Sequence, residues 1–139
     1  MIRDDYILRL IKQLGDFLGR IVRRREEGQL DQALSDADGA WSELFDIPRE
    51  LCDIVDTPTL AGMLRDPERM RAAAQLFWEE GRIHAARADP LTASLKYRRA
   101  FELMLEARAL QPTEEDDSAV MELSRLVPAG QLDPRYRAG

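Results

Sequence analysis

One cysteine and one histidine stand in the 139 residues, so the chain lacks the side chains on which much protein chemistry is built. Cys52 alone closes no intrachain disulfide and supplies neither a zinc site of several thiolates nor a Cys-x-x-Cys redox pair. A single histidine cannot furnish the Glu-x-x-His signature on two helices that di-metal bundles use. No run of roughly 20 uncharged apolar residues occurs, which excludes a membrane-spanning helix. Apolar and polar residues nowhere alternate for long enough to pair as strands, and no Asn-Gly or Asp-Gly turn joins two β-rich runs, so no sheet is expected. A Gly-x-Ser-x-Gly elbow and a glycine-rich phosphate loop are both missing. The opening, from Met1 to Tyr6, carries acidic residues where a secretory leader carries basic ones, and a cytoplasmic address is expected.

What is present is ordinary for a folded helical domain. Hydrophobic residues make up 45% and charged residues 33%, too apolar a mixture for a disordered chain. The length suits one core. A net charge of −6 disfavours nucleic acid as a partner, because neutralising phosphates requires a basic face.

Periodicity then places the elements. From Asp4 to about Glu27, Ile7, Leu10, Leu14, Phe17 and Ile21 recur in alternating steps of three and four, flanked by Ile11, Leu18 and Val22. Asp4 and Asp5 suit the positive end of this helix and Arg23, Arg24 and Arg25 its negative end, and Gly28 stops it. Leu30 to Phe45 is a second helix with Ala33, Leu34, Ala37, Ala40, Trp41 and Leu44 on one side. The short break between the two implies an antiparallel hairpin over 4–45. Pro48, Pro58 and Pro67 each start a helix, since proline is tolerated at the first helical position. Thr57, Asp66 and Asp89 precede prolines and are read as N-caps.

Short helices therefore fill 48–64, and a long hairpin fills 67–111. A terminal helix capped by Thr113 covers 114–127, with Val120, Leu123 and Leu126 inward. Pro128, Gly130, Pro134 and Gly139 then break regular structure, so 128–139 is expected as a mobile tail behind a single helical domain over 1–127. The class is all-α, with about five to six helices.

The spacing Ala100, Met104, Ala107, Pro112 resembles the second helix of a tetratricopeptide repeat, with Phe77 and Gly81 fitting the first. In that pattern small residues let two helices touch, a large one fills the groove, and proline ends the second helix. Gly28, Ala33, Ala37 and Ala40 give a second partial match. The resemblance implies an array of antiparallel helical hairpins, here two degenerate repeats with an insert. The stretch from Asp4 to Gln13 is also similar to the start of a family of uncharacterised bacterial proteins, which implies no activity.

Candidate sites follow from the few chemically useful side chains. Glu80 and His84 are one turn apart and, with Tyr97, define a pocket for a small ligand or a metal; the plainer account packs His84 between helices where the motif has tyrosine. Glu79 with Glu80, and Asp36 with Asp38, point to different sides of their helices and read as solvated carboxylates. Arg20, Arg23, Arg24 and Arg25 are basic enough to attract anions, but they also complement the helix dipole. Cys52 reads as a small buried hydrophobe, while Trp41, Trp78 and Tyr97 are interface anchors if exposed.

The first helix is the most informative element, because its apolar residues cover about half its circumference. Its second side packs under the Pro58–Leu64 segment or the terminal helix, or pairs with itself in a homodimer. The stripe Ile7, Leu10, Leu14, Phe17 and Ile21 is accordingly the candidate interaction surface. The expected function is a non-catalytic helical module that binds a protein or a second copy of itself, with no cofactor.

Overall fold

Prolines and caps punctuate this chain, and the helices begin where they stand. The computed structural model describes residues 2–137, of which none is in a strand. Seven α-helices run in the order α1 Ile2–Glu26, α2 Leu30–Leu44, α3 Arg49–Ile54, α4 Thr57–Leu64, α5 Pro67–Ala86, α6 Pro90–Leu110 and α7 Glu114–Leu126. The fold is all-α, with one or two helices more than the five to six expected; the short helices expected over 48–64 are α3 and α4. The Asp66 and Asp89 carboxylates accept from Glu68 N–H at 2.9 Å and Thr92 N–H at 3.2 Å, capping α5 and α6. Thr113 caps α7 in a reciprocal box with Asp116.

One cap differs from the expectation. Asp56, not Thr57, caps α4, accepting from Thr59 N–H at 2.9 Å. Thr57 is instead the first helical residue and turns inward, where its hydroxyl donates to Glu102 at 2.5 Å. A carboxylate one residue earlier outcompetes the hydroxyl for the free amide, which releases Thr57 for the interior.

Both hairpins close with the same device. After α1, Gly28 takes φ +78°, Gln29 N–H donates to Arg24 C=O at 2.8 Å and Gly28 N–H to Arg25 C=O at 3.1 Å. After α5, Ala88 takes φ +60°, Asp89 N–H donates to His84 C=O at 2.9 Å and Ala88 N–H to Ala85 C=O at 3.1 Å. These paired bonds satisfy the last carbonyls of each helix and reverse the chain.

Packing follows from the small residues. Helix α5 lies against α6 along its length, and also against α1, α2 and α4; α7 covers α6. Ala33, Ala37, Ala40, Ala73, Ala74, Ala100 and Ala107 are buried at these crossings, where absent bulk lets helix axes approach. Trp41 is the large residue among them, with ring centroids 4.9 Å from Phe45 and 5.0 Å from Phe77. The first helix is buried chiefly against α2 and α5, rather than under the 58–64 segment or the terminal helix.

The segment after α7 is docked where a mobile tail is expected. Val127 and Leu132 are buried, residues 129–131 and 134–136 form 3-10 turns, Asp133 N–H donates to Glu102 at 3.0 Å, and the Tyr136 hydroxyl donates to Glu106. Proline and glycine forbid a helix here, but isolated apolar and hydrogen-bonding anchors hold the chain without one. Residues 1, 138 and 139, where the expected outer bounds fall, lie outside the described residues.

Candidate functional site

The stripe read as an interaction surface lies mostly inside the molecule. Leu10, Leu14 and Ile21 are buried core, and Ile7 and Phe17 are half-buried. The opposite face of α1 is what solvent meets. Leu8 is 66% and Ile11 51% exposed, and the neighbouring Gly15 and Gly19 have open space where a Cβ would stand. Helix α1 thus carries apolar residues on two faces and uses only one for folding, while glycines weaken the helix at positions where no intrachain contact needs them.

The second predicted site does not assemble. Glu80 is turned toward Arg49, which donates to both its oxygens at 2.7 and 2.8 Å, and toward Lys96 Nζ at 3.7 Å. Tyr97 lies against Gly81 on another face of α5. His84 is half-buried between them, its pKa lowered first by burial and then by the charge of Lys96. Among the described residues no group of three or more His, Cys, Asp or Glu side chains is placed to hold a metal ion.

Of the paired carboxylates expected in solvent, Asp38 is exposed and Asp36 half-buried, whereas Glu79 and Glu80 are buried. Glu79 is only 5% and Glu80 2% exposed. Arg25 donates to Glu79 at 3.3 Å, and Arg82 pairs with it from one turn away. Adjacent residues on a helix reach different sides, but α5 is central and both of its sides are covered. Of the arginines at the end of α1, Arg25 is thus engaged and so is Arg24, which binds Asp36 at 2.8 Å and also Gln29 and Gln32, while Arg20 and Arg23 are exposed. Trp41 and Cys52 are core, while Trp78 and Tyr97 are half-buried.

A polar cleft not foreseen in the sequence lies between the start of α4, the outer side of α6 and residues 133–136. It measures about 310 Å³ and is floored by Phe77, with Lys96, Arg99, Thr57 and Glu102 among its walls. Glu102, 3% exposed, accepts from Thr57, from Arg98 at 3.2 Å and from Asp133 N–H. Arg99 donates to the Thr57 hydroxyl at 3.2 Å and to Val55 C=O at 2.6 Å; among the described residues no carboxylate is in ion-pair contact with it, though the charges of Glu102, Asp53 and Asp56 reach it. Its pKa is lowered, chiefly by burial. The signal available in the sequence was a single charge inside the apolar run Ala100-Phe101-Glu102-Leu103-Met104, with Arg98 one turn earlier; its other partners, Thr57 and Asp133, are more than thirty residues away and left none.

A somewhat smaller groove of about 250 Å³ runs between α1 and α7 over α5. Leu18, Trp78, Met104 and Ala119 line it, among charged residues that include Arg82 and Glu115. It borders the α1 face that carries Ile11. No described helix is long and apolar enough to cross a membrane. Comparison of the chain with protein-family profiles, curated proteins and solved structures gives no match.

Proposed function

We propose that the chain is a helical protein-interaction module without catalytic activity, and that the outward face of α1 takes the partner. The observation that carries this reading is the pair of exposed apolar residues, Leu8 and Ile11, on a helix whose other face is already buried. Burying what these two side chains still expose contributes roughly 2–3.5 kcal/mol before association costs. The adjoining glycines give a partner helix a flat seat. The groove beside it, with half-buried Trp78, extends the same surface toward α7.

The resemblance to tetratricopeptide hairpins supports the reading, as does the packing of α5 against both helices of the first hairpin. Arrays of that kind bind protein segments on faces left open by hairpin stacking. A cytoplasmic address belongs to the same proposal, in keeping with a single, buried, unpaired thiol at Cys52. The test compares proteins retained from the native source by the wild-type chain and by a Leu8→Asp, Ile11→Asp variant of unchanged circular dichroism. A partner retained only by the wild type supports the reading; identical sets contradict it.

A second reading, a small-ligand site, is favoured by one observation: the cleft at Phe77 holds a guanidinium, Arg99, that makes no ion pair among the described residues. A small carboxylic acid fits that donor. A melting shift with acetate or benzoate at constant ionic strength, lost in Arg99→Met, tests it.

A further inference from the structure

Resting on the reading that the outward face of α1 takes a partner, we infer that the partner is the same helix of a second copy, paired antiparallel. The charge order along that face points to this pairing. Asp5, Arg9, Asp16 and Arg20 are all exposed, and a turn of 100° per residue puts them within about 60° of one another on one flank. None of the four makes an ion pair among the described residues; Arg20 rests over the Phe17 ring at 4.7 Å.

In an antiparallel pair the two-fold axis brings the same flank of both helices together. Set between Lys12 and Gln13, that axis places Asp5 opposite Arg20 and Arg9 opposite Asp16, each twice. All four pairings are of opposite sign. A parallel, in-register pair would instead oppose every charge to itself. The antiparallel register also fits the apolar residues: Leu8 falls over the gap between Gly15 and Gly19 of the other copy. Apart from the adjoining residues and the helix's own backbone, nothing lies within 4 Å of either glycine's Cβ position, so the notch is open to a knob from outside. One register thus accounts for the exposed leucine, the two helix-weakening glycines and the order of the charges.

The contact, about 24 Å long over residues 5–20, belongs to the small and concentration-dependent class of interfaces. The experiment is sedimentation equilibrium of the full chain from about 10 to about 500 micromolar, for the wild type, Arg9→Asp, Asp16→Arg and the double variant. Positions 9 and 16 are two turns apart, about 10.5 Å along one helix, and do not meet within a chain. The expected result is a dimer weakened about tenfold by either single reversal and restored to within about threefold in the double variant. Gly19→Gln gives a second readout with opposite signs: it raises the melting temperature through helix propensity and weakens the dimer.

A dimer indifferent to the single reversals, or a double variant no better than its parents, overturns the pairing. A chain that stays monomeric throughout also overturns it, but leaves the broader reading to the retention experiment, where a different protein would be lost with Leu8 and Ile11.

Discussion

The ring of Tyr97 lies directly on Gly81: a Cβ at position 81 would stand 2.5 Å from Cε1 and 2.6 Å from Cδ1 of that ring. This contact sets how closely α5 and α6 approach, and these are the two most extensively packed helices of the fold. Gly81→Ala gains helix propensity, worth about 1 kcal/mol, but forces a half-buried aromatic aside, which costs about 1–3 kcal/mol. The expected outcome is a net loss of stability, read as a lower urea midpoint. Tyr97→Leu in the same background removes the clash and recovers part of it.

Ala88 carries the left-handed φ that glycine supplies at the corresponding joint of the first hairpin, Gly28. The left-handed region costs a residue with a Cβ about 1 kcal/mol. Ala88→Gly is therefore expected to raise stability by up to about 1 kcal/mol, partly offset by the greater freedom of glycine in the unfolded chain. Thermal unfolding checks it. A lower melting temperature would show that the turn is set by contacts of the alanine methyl instead.

Arg49 and Glu80 join α3 to the middle of α5. Glu80 is 2% exposed, and Arg49 stacks 4.9 Å from the Trp41 centroid and 5.4 Å from that of Phe77. Burial pushes the Glu80 carboxyl upward, against the opposing charges of Arg49 and Lys96. Removing the guanidinium alone leaves a buried acid with only Lys96, at 3.7 Å, for a partner, so Arg49→Ala is expected to cost about 3 kcal/mol. Arg49→Met with Glu80→Leu is expected to recover most of that loss, as an apolar pair of similar volume. Chemical denaturation of the single and double variants measures the coupling.

Asp116 gives a pH dependence of definite sign. Burial alone raises its pKa, but Arg71, donating at 2.8 and 2.9 Å, and Thr113 outweigh that and hold it below the ordinary value. A depressed carboxyl contributes stability that is present above the unfolded value of about 3.9 and lost as pH falls through the folded one. Asp116→Asn is expected to be less stable than wild type by about 1–3 kcal/mol at pH 6. The gap should narrow as pH falls below about 4, which urea midpoints across that range follow. A constant gap would assign the effect to packing alone.

Helix boundaries were the legible part of this sequence. Proline after aspartate fixes a start by two independent effects, a preset φ and a cap, and the starts of α5 and α6 fall where that pair stands. Faces were less legible. Residues of α1 that are apolar over half a circumference do not say which half folds, because Leu8–Ile11 and Leu10–Leu14 have equally good helical spacing; only the placement of α2 and α5 decides. The docked segment 128–137 escaped for a different reason, since Leu132 and Tyr136 anchor it singly and periodicity reads only repeats. Glu102 and Asp116 have local partners in Arg98 and Thr113, but Thr57, Asp133 and Arg71, which also hold them, lie more than thirty residues away, beyond any local pattern.

The central claim is that the two apolar faces of α1 do different work, one holding the fold and one meeting a partner. The most direct test places the same charge on each: Leu14→Asp on the inner face, and Leu8→Asp with Ile11→Asp on the outer, followed by melting and by mass in solution. The account predicts that Leu14→Asp unfolds or melts far lower, while the outer variant melts as the wild type does and sediments as a monomer at concentrations where the wild type associates. An outer variant that melts as badly as Leu14→Asp, or that associates unchanged, would contradict it.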